Sequence, residues 1–111
     1  MKVNFTGHHV LLTKIDTDFY SGKFVPLAQR STEHIFPKSK GGANNIINYA
    51  MVEKNLNADR GNMPLKQWIN IHPDFLDNMK NYIKKYWDII IDGKQYGKEI
   101  EKTLKKMDII A

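Results

Sequence analysis

Cysteine is absent from the 111 residues. That absence removes disulfides, thiolate zinc sites and cysteine nucleophiles in one step, so a structural zinc is not expected. Long apolar runs are missing as well. No stretch reaches the roughly 20 apolar residues that span a bilayer, and the start, from Met1 to His9, has no extended apolar core of the kind that marks a secretory leader. No membrane partner is expected, and the expected location is the cytoplasm. There is no internal repeat, low-complexity tract or linker, and the length suits one core, so the expectation is a single domain over residues 1–111. Acidic residues are the scarcer charge, 12 against 17 basic ones, which leaves a net charge of +5 and a pI near 9.4. Such a surplus favours a polyanionic partner, because neutralising phosphates releases counterions whatever the sequence, although charge alone does not separate nucleic-acid binders from other basic proteins.

Apolar residues at 41% and charged residues at 26% describe an ordinary globular chain. Val10 to Ile15 and Phe24 to Leu27 alternate in a way that suits short strands or loops. Gln29 to Phe36 reads as a strand stopped by Pro37, the Ser39 to Asn45 stretch as a long turn, and Tyr49 to Glu53 as the returning strand of a hairpin. Lys54 to Arg60 suits a short helix ended by Gly61-Asn62, and Pro64 fits the first turn of another through Trp68 and Ile69. After His72-Pro73, the residues Phe75, Met79, Tyr82, Ile83, Tyr86, Trp87 and Ile90 make one apolar stripe of a longer helix that Asp92-Gly93 breaks. Ile100, Leu104 and Met107 mark a last amphipathic helix. The expected class is α+β: a hairpin and helix, with an N-terminal extension and C-terminal helices.

Within this frame the chemistry gathers at Glu33-His34, a carboxylate beside an imidazole just before a basic, glycine-rich turn. A hard divalent cation takes oxygen ligands, and histidine, with an ordinary pKa of about 6.5, is the readiest base near neutral pH. Asn48 lies fourteen positions after His34 (48−34) and Asn57 twenty-three after it (57−34). If the strands pair and the next helix packs across them, His34 and Asn57 can face one cleft, with a metal between Glu33 and Asn57. Elsewhere the helical spacing of Tyr82, Tyr86 and Trp87 argues for core rather than a base-stacking platform. His72 reads as structural at a helix start, and His8-His9 is assigned no role.

Over about residues 30–68 the chain resembles the HNH nucleases, the ββα-metal or His-Me finger endonucleases. Glu33-His34-Ile35-Phe36-Pro37-Lys38-Ser39-Lys40-Gly41-Gly42 looks like the family's acidic-His opening and glycine loop. Asn48 falls at its central asparagine, and Asn57-Ala58-Asp59-Arg60-Gly61-Asn62 at its closing segment. The resemblance implies an HNH endonuclease with a ββα-metal core that hydrolyses phosphodiester bonds, with DNA rather than RNA the expected substrate. His34 would be the general base, Glu33 and Asn57 the ligands of one divalent ion, magnesium or manganese, and Asn48 a structural tie for the loop. Lys38, Lys40 and Arg60 become candidates for phosphate contacts. Nicking is the expected event, since one site holds one metal and one base. Glu33 replaces the commoner Asp, Asn57 replaces a final His, and the Cys pairs of many members are absent. The rival readings are a non-catalytic nucleic-acid-binding module on the same fold, and an RNA-cleaving or partner-dependent defence or toxin nuclease. No feature marks a protein partner or a dimer surface.

Overall fold

The computed structural model describes residues 4–7 and 9–111, so His8 and the first three residues lie outside the described residues. In chain order the elements are β1 (Asn4–Phe5), α1 (Val10–Thr13), β2 (Arg30–His34), β3 (Tyr49–Glu53), α2 (Lys54–Arg60), α3 (Leu65–Ile71), α4 (Phe75–Lys85), β4 (Ile90–Ile91), β5 (Lys94–Gln95) and α5 (Tyr96–Lys106). The architecture is α+β, with a two-stranded antiparallel hairpin followed by helices. No helix among the described residues is long and apolar enough to cross a membrane.

In the hairpin, β2 pairs with β3 from Arg30 opposite Glu53 to His34 opposite Tyr49. Tyr49, Ala50, Met51 and Val52 are all buried, so β3 is covered on both faces. No loop separates β3 from the next helix. The side chain of Glu53 caps α2, accepting from the backbone N–H groups of Asn55 and Leu56 at 3.0 and 3.3 Å. Gly61 ends that helix in a positive-φ conformation, φ 53°.

The C-terminal helices are fastened to β3 by tyrosines. The Met51 N–H donates to the Tyr82 hydroxyl at 3.2 Å, Tyr82 and Tyr96 share a hydrogen bond of 2.7 Å, and the Tyr96 hydroxyl donates to the Tyr49 carbonyl at 2.7 Å. Two phenols, one from α4 and one from α5, thus bridge two peptides of the same strand. Burial pushes both phenols above their ordinary pKa, so each remains a proton donor across the physiological range.

Two segments depart from the periodicity reading. Val10 to Thr13 is a helical turn rather than a strand, and its buried residues Val10 and Leu11, with Ile15 beyond, follow helical spacing that a six-residue window cannot separate from alternation. The α4 helix ends at Lys85, five residues before Ile90 (90−85), and Ile90 belongs to β4. Asp92-Gly93 is a two-residue hairpin turn instead of a helix break. Both residues have positive φ, 52° and 77°, as a mirror-image turn between twisted strands requires. The resulting β4 pairs in parallel with β1, and the Asp92 side chain accepts from the Gly7 N–H at 2.9 Å.

Helices α4 and α5 approach closely at Gly97, where a Cβ would stand 2.5 Å from the Trp87 Cα and 2.6 Å from the Ile83 carbonyl oxygen. Both obstacles are backbone, so neither can rotate away. Gly97→Ala is expected to lower the melting temperature by several degrees, in line with overpacking penalties of about 1–3 kcal/mol. An unchanged thermal transition would contradict this packing.

Candidate active site

Alternate residues of a strand point to opposite faces, and Ser31 and Glu33 share the face of β2 that meets α2. From the helix, Asn57 and Arg60 stand three residues apart on one side and reach those partners. The Asn57 amide nitrogen donates to Ser31 Oγ at 3.0 Å and to the Thr32 carbonyl at 3.2 Å. Arg60 is only 2% exposed, and its guanidinium is bonded all round. Nε donates to the Met63 carbonyl at 2.9 Å, Nη1 to the Tyr20 hydroxyl at 2.9 Å and the His34 carbonyl at 3.0 Å, and Nη2 to the Ile35 carbonyl at 2.8 Å. Nη1 also lies 3.4 Å from Glu33 Oε2, the oxygen that accepts from the Tyr20 hydroxyl at 2.9 Å.

Glu33 is 4% exposed. Burial lifts its carboxyl above the ordinary glutamate value, while the Arg60 charge and the Tyr20 hydrogen bond pull in the other direction. Burial wins. Tyr20 itself is raised well above the usual phenol range, first by burial and then by the Glu33 charge, so it acts here as a donor. The buried Asp18 side chain holds the Tyr20 segment in place by accepting from the N–H groups of Tyr20 and Ser21, each at 2.7 Å, and of Glu53 at 2.6 Å.

On the far side of the strand end, the 37–47 loop folds back over the hairpin. The Asn48 side chain accepts from the Phe36 N–H at 2.7 Å and donates to the carbonyls of Phe36 and Ala43, each at 3.0 Å. Gly42 closes the loop so tightly that a Cβ would lie 1.9 Å from the Phe36 carbonyl oxygen, a position only glycine can occupy. This folding brings Asn44 to the half-buried His34, whose Nε2 is 2.9 Å from the Asn44 amide oxygen. With the Asn44 amide oxygen assigned as its partner, the neutral ring places its proton on Nε2 and leaves Nδ1 bare. The imidazole also stands edge-on to Tyr49, with centroids 5.0 Å apart and planes at 81°.

Set beside models of known protein families and curated proteins, the chain matches none.

Glu33, Asn57 and Arg60 are brought together at the β2–α2 contact, Asn48 lies under the loop, and Lys38 and Lys40 are exposed on its first turn. Arg60 corrects an expectation. It was a candidate for phosphate contact, but the helix turns it onto β2, where burial and four protein acceptors occupy its donors. Two partners escaped the sequence reading, Tyr20 and Asn44. Tyr20 lies in the least patterned part of the chain, and Asn44 reads simply as a turn residue.

Among the described residues no three His, Asp or Glu side chains gather into a cluster. The Asn57 amide nitrogen is spent on β2, and Glu33 Oε2 serves Tyr20 and Arg60, so the oxygens these two residues could still offer a cation are the Asn57 amide oxygen and the second carboxylate oxygen of Glu33. Hard oxygen donors of this kind fit magnesium or manganese, and Glu33 would share its charge between that ion and Arg60.

Removing one member of a buried ion pair leaves the other uncompensated, at a cost of about 3–5 kcal/mol. Arg60→Met, which keeps the bulk and loses every donor, is expected to show a loss of that size in urea denaturation. A change below about 1 kcal/mol, the scale of a surface pair, would contradict the bonded role of Arg60.

Proposed function

We propose that the chain is a metal-dependent endonuclease of the ββα-metal, HNH-like type that nicks DNA, with His34 as its general base. The observation that carries this reading is the His34 ring at the end of β2, bonded through Nε2 to Asn44 so that Nδ1 is left as the basic nitrogen. Hydrolysis begins when His34 Nδ1 takes a proton from a water aligned with the phosphorus. The attacking oxygen bonds to phosphorus, the bond to the 3′ oxygen breaks with that oxygen taking a proton from solvent water, and the products are a 5′ phosphate and a 3′ hydroxyl. Asn57 and Glu33 would hold one divalent ion, magnesium or manganese, which when bound supplies positive charge to phosphate oxygens on which negative charge builds.

The chain's own residues divide the remaining work. Arg60 ties down the carbonyls of His34 and Ile35, which fixes the backbone that carries the base. Asn48 sets the loop and, through it, Asn44. Lys38 and Lys40 are exposed on that loop and suit flanking phosphates. The net charge of +5 supports a polyanionic substrate.

One observation favours a second reading, a nucleic-acid-binding module without catalysis. The Glu33 charge is already matched by Arg60, which weakens its draw on a cation. Plasmid nicking separates the two. With magnesium or manganese the wild type is expected to convert supercoiled plasmid to open circles, and EDTA to abolish it. His34→Ala should lose at least about a hundredfold in rate, the low end of what a positioned base supplies. Asn57→Ala should lose activity that extra metal partly restores. Nicking by His34→Ala at the wild-type rate would overturn the assignment, and duplex binding without nicking would favour the module.

A further inference from the structure

Outside the proposed chemistry, the structure holds a surface where the 37–47 loop approaches the end of α5. Phe36 is 40% exposed there and borders two adjoining clefts of about 330 and 320 Å³. The first has an apolar floor that includes Pro37, Leu65 and Met107, and a rim of Lys40, Lys66 and Lys106. The second runs along Gly42 and Ala43 to Asn48, next to the Asn44 that bonds His34. The three rim lysines are exposed and have no acidic partner among the described residues, whereas Lys85, Lys102 and Lys105 each pair with a carboxylate.

An apolar floor with an exposed ring and unmatched cations fits a ligand that is flat and apolar in one part and anionic in another. A paired duplex does not meet that description, because its bases are stacked on one another and turned inward. An unpaired nucleotide does, since its base offers a π-face and its phosphate a charge. We infer that this double cleft is a track for an unpaired stretch of DNA, with a base stacked on Phe36 and phosphates at Lys40, Lys66 and Lys106. His34 lines neither cleft but is their near neighbour along the chain: Phe36, which borders both, lies two residues beyond it, and Ala43, which lines the second, directly precedes its partner Asn44. The inference rests on the nuclease reading for the bond that is cut, and it narrows that reading to substrates with unpaired nucleotides beside the scissile phosphodiester, such as single strands, flaps or bubbles.

Binding measured in EDTA keeps the two readings apart. The probes are a short fluorescent single-stranded DNA, the RNA of the same sequence and the corresponding DNA duplex, followed by fluorescence anisotropy at fixed salt. The wild type should bind the single strand more tightly than the duplex. Phe36→Leu, which keeps an apolar side chain and loses the ring, should weaken single-strand binding by about fivefold or more, as loss of base stacking does. Its melting temperature and duplex affinity should hold, and Phe36→Tyr should bind like the wild type. Reversing charge in Lys66→Glu with Lys106→Glu should weaken both DNA forms and flatten the salt dependence. Equal affinity for both forms, no effect of Phe36→Leu, or an equal loss in Phe36→Leu and Phe36→Tyr would overturn the track. Ring dependence confined to RNA would overturn DNA as its occupant. Plasmid nicking that depends on His34 but not on Phe36 would leave the nuclease reading intact and remove only this inference. Ring-dependent binding in a protein that never nicks would do the reverse.

Discussion

The backbone around His34 is fixed by one buried guanidinium. Arg60 donates to the carbonyls of the two successive residues His34 and Ile35, to the carbonyl of Met63 beyond its own helix, and to the Tyr20 hydroxyl, with the Glu33 carboxylate beside it. A buried charge is tolerable only when its donors are met, and here backbone carbonyls do most of the meeting. Arginine suits the position because its planar fork reaches several acceptors at once, which a lysine could not. The hairpin end, the helix after it and the Tyr20 segment are thereby held in one arrangement. A buried ion pair adds little net stability for its desolvation, so its contribution is better sought in the fixed geometry of the strand that bears His34.

The same constraint separates the two residues that stand out in the sequence as a pair. Neighbours on a strand face opposite ways, so Glu33 turns inward to Tyr20 and Arg60 while His34 turns toward the loop and Asn44. On the proposed reading the histidine does the proton chemistry, and the carboxylate first anchors the strand and only in part serves a metal. The loop acts as the counterpart of Arg60 on the other side. Asn48 and Gly42 close it onto the Phe36 backbone, and this closure presents Asn44 to the imidazole.

Much of this was legible where the chain carries its own punctuation. Pro37 follows the first strand of the hairpin, Tyr49 to Glu53 returns, and Gly61 stops α2 at Arg60, because these residues act through local backbone preference. The small sheet was not legible. Strands of two residues show no period, and Ile90 happens to continue the apolar spacing of α4. Asp92-Gly93 did carry a hairpin signal, overridden by that spacing. Around the site, spacing along the hairpin was enough to draw attention to Glu33, His34, Asn48 and Asn57, whereas the fate of Arg60 depends on Tyr20, forty residues away (60−20). Contacts of that range leave no periodic trace in a single sequence.

Whether His34 can serve as a base turns on which ring nitrogen is bare, and that can be measured without substrate or metal. Long-range proton–nitrogen correlation NMR of the neutral imidazole reports it directly. The bond to the Asn44 amide oxygen predicts a proton on Nε2 and a bare Nδ1. A proton on Nδ1 with a bare Nε2 in the wild type would contradict it, and with it the geometry from which the proposed chemistry is drawn.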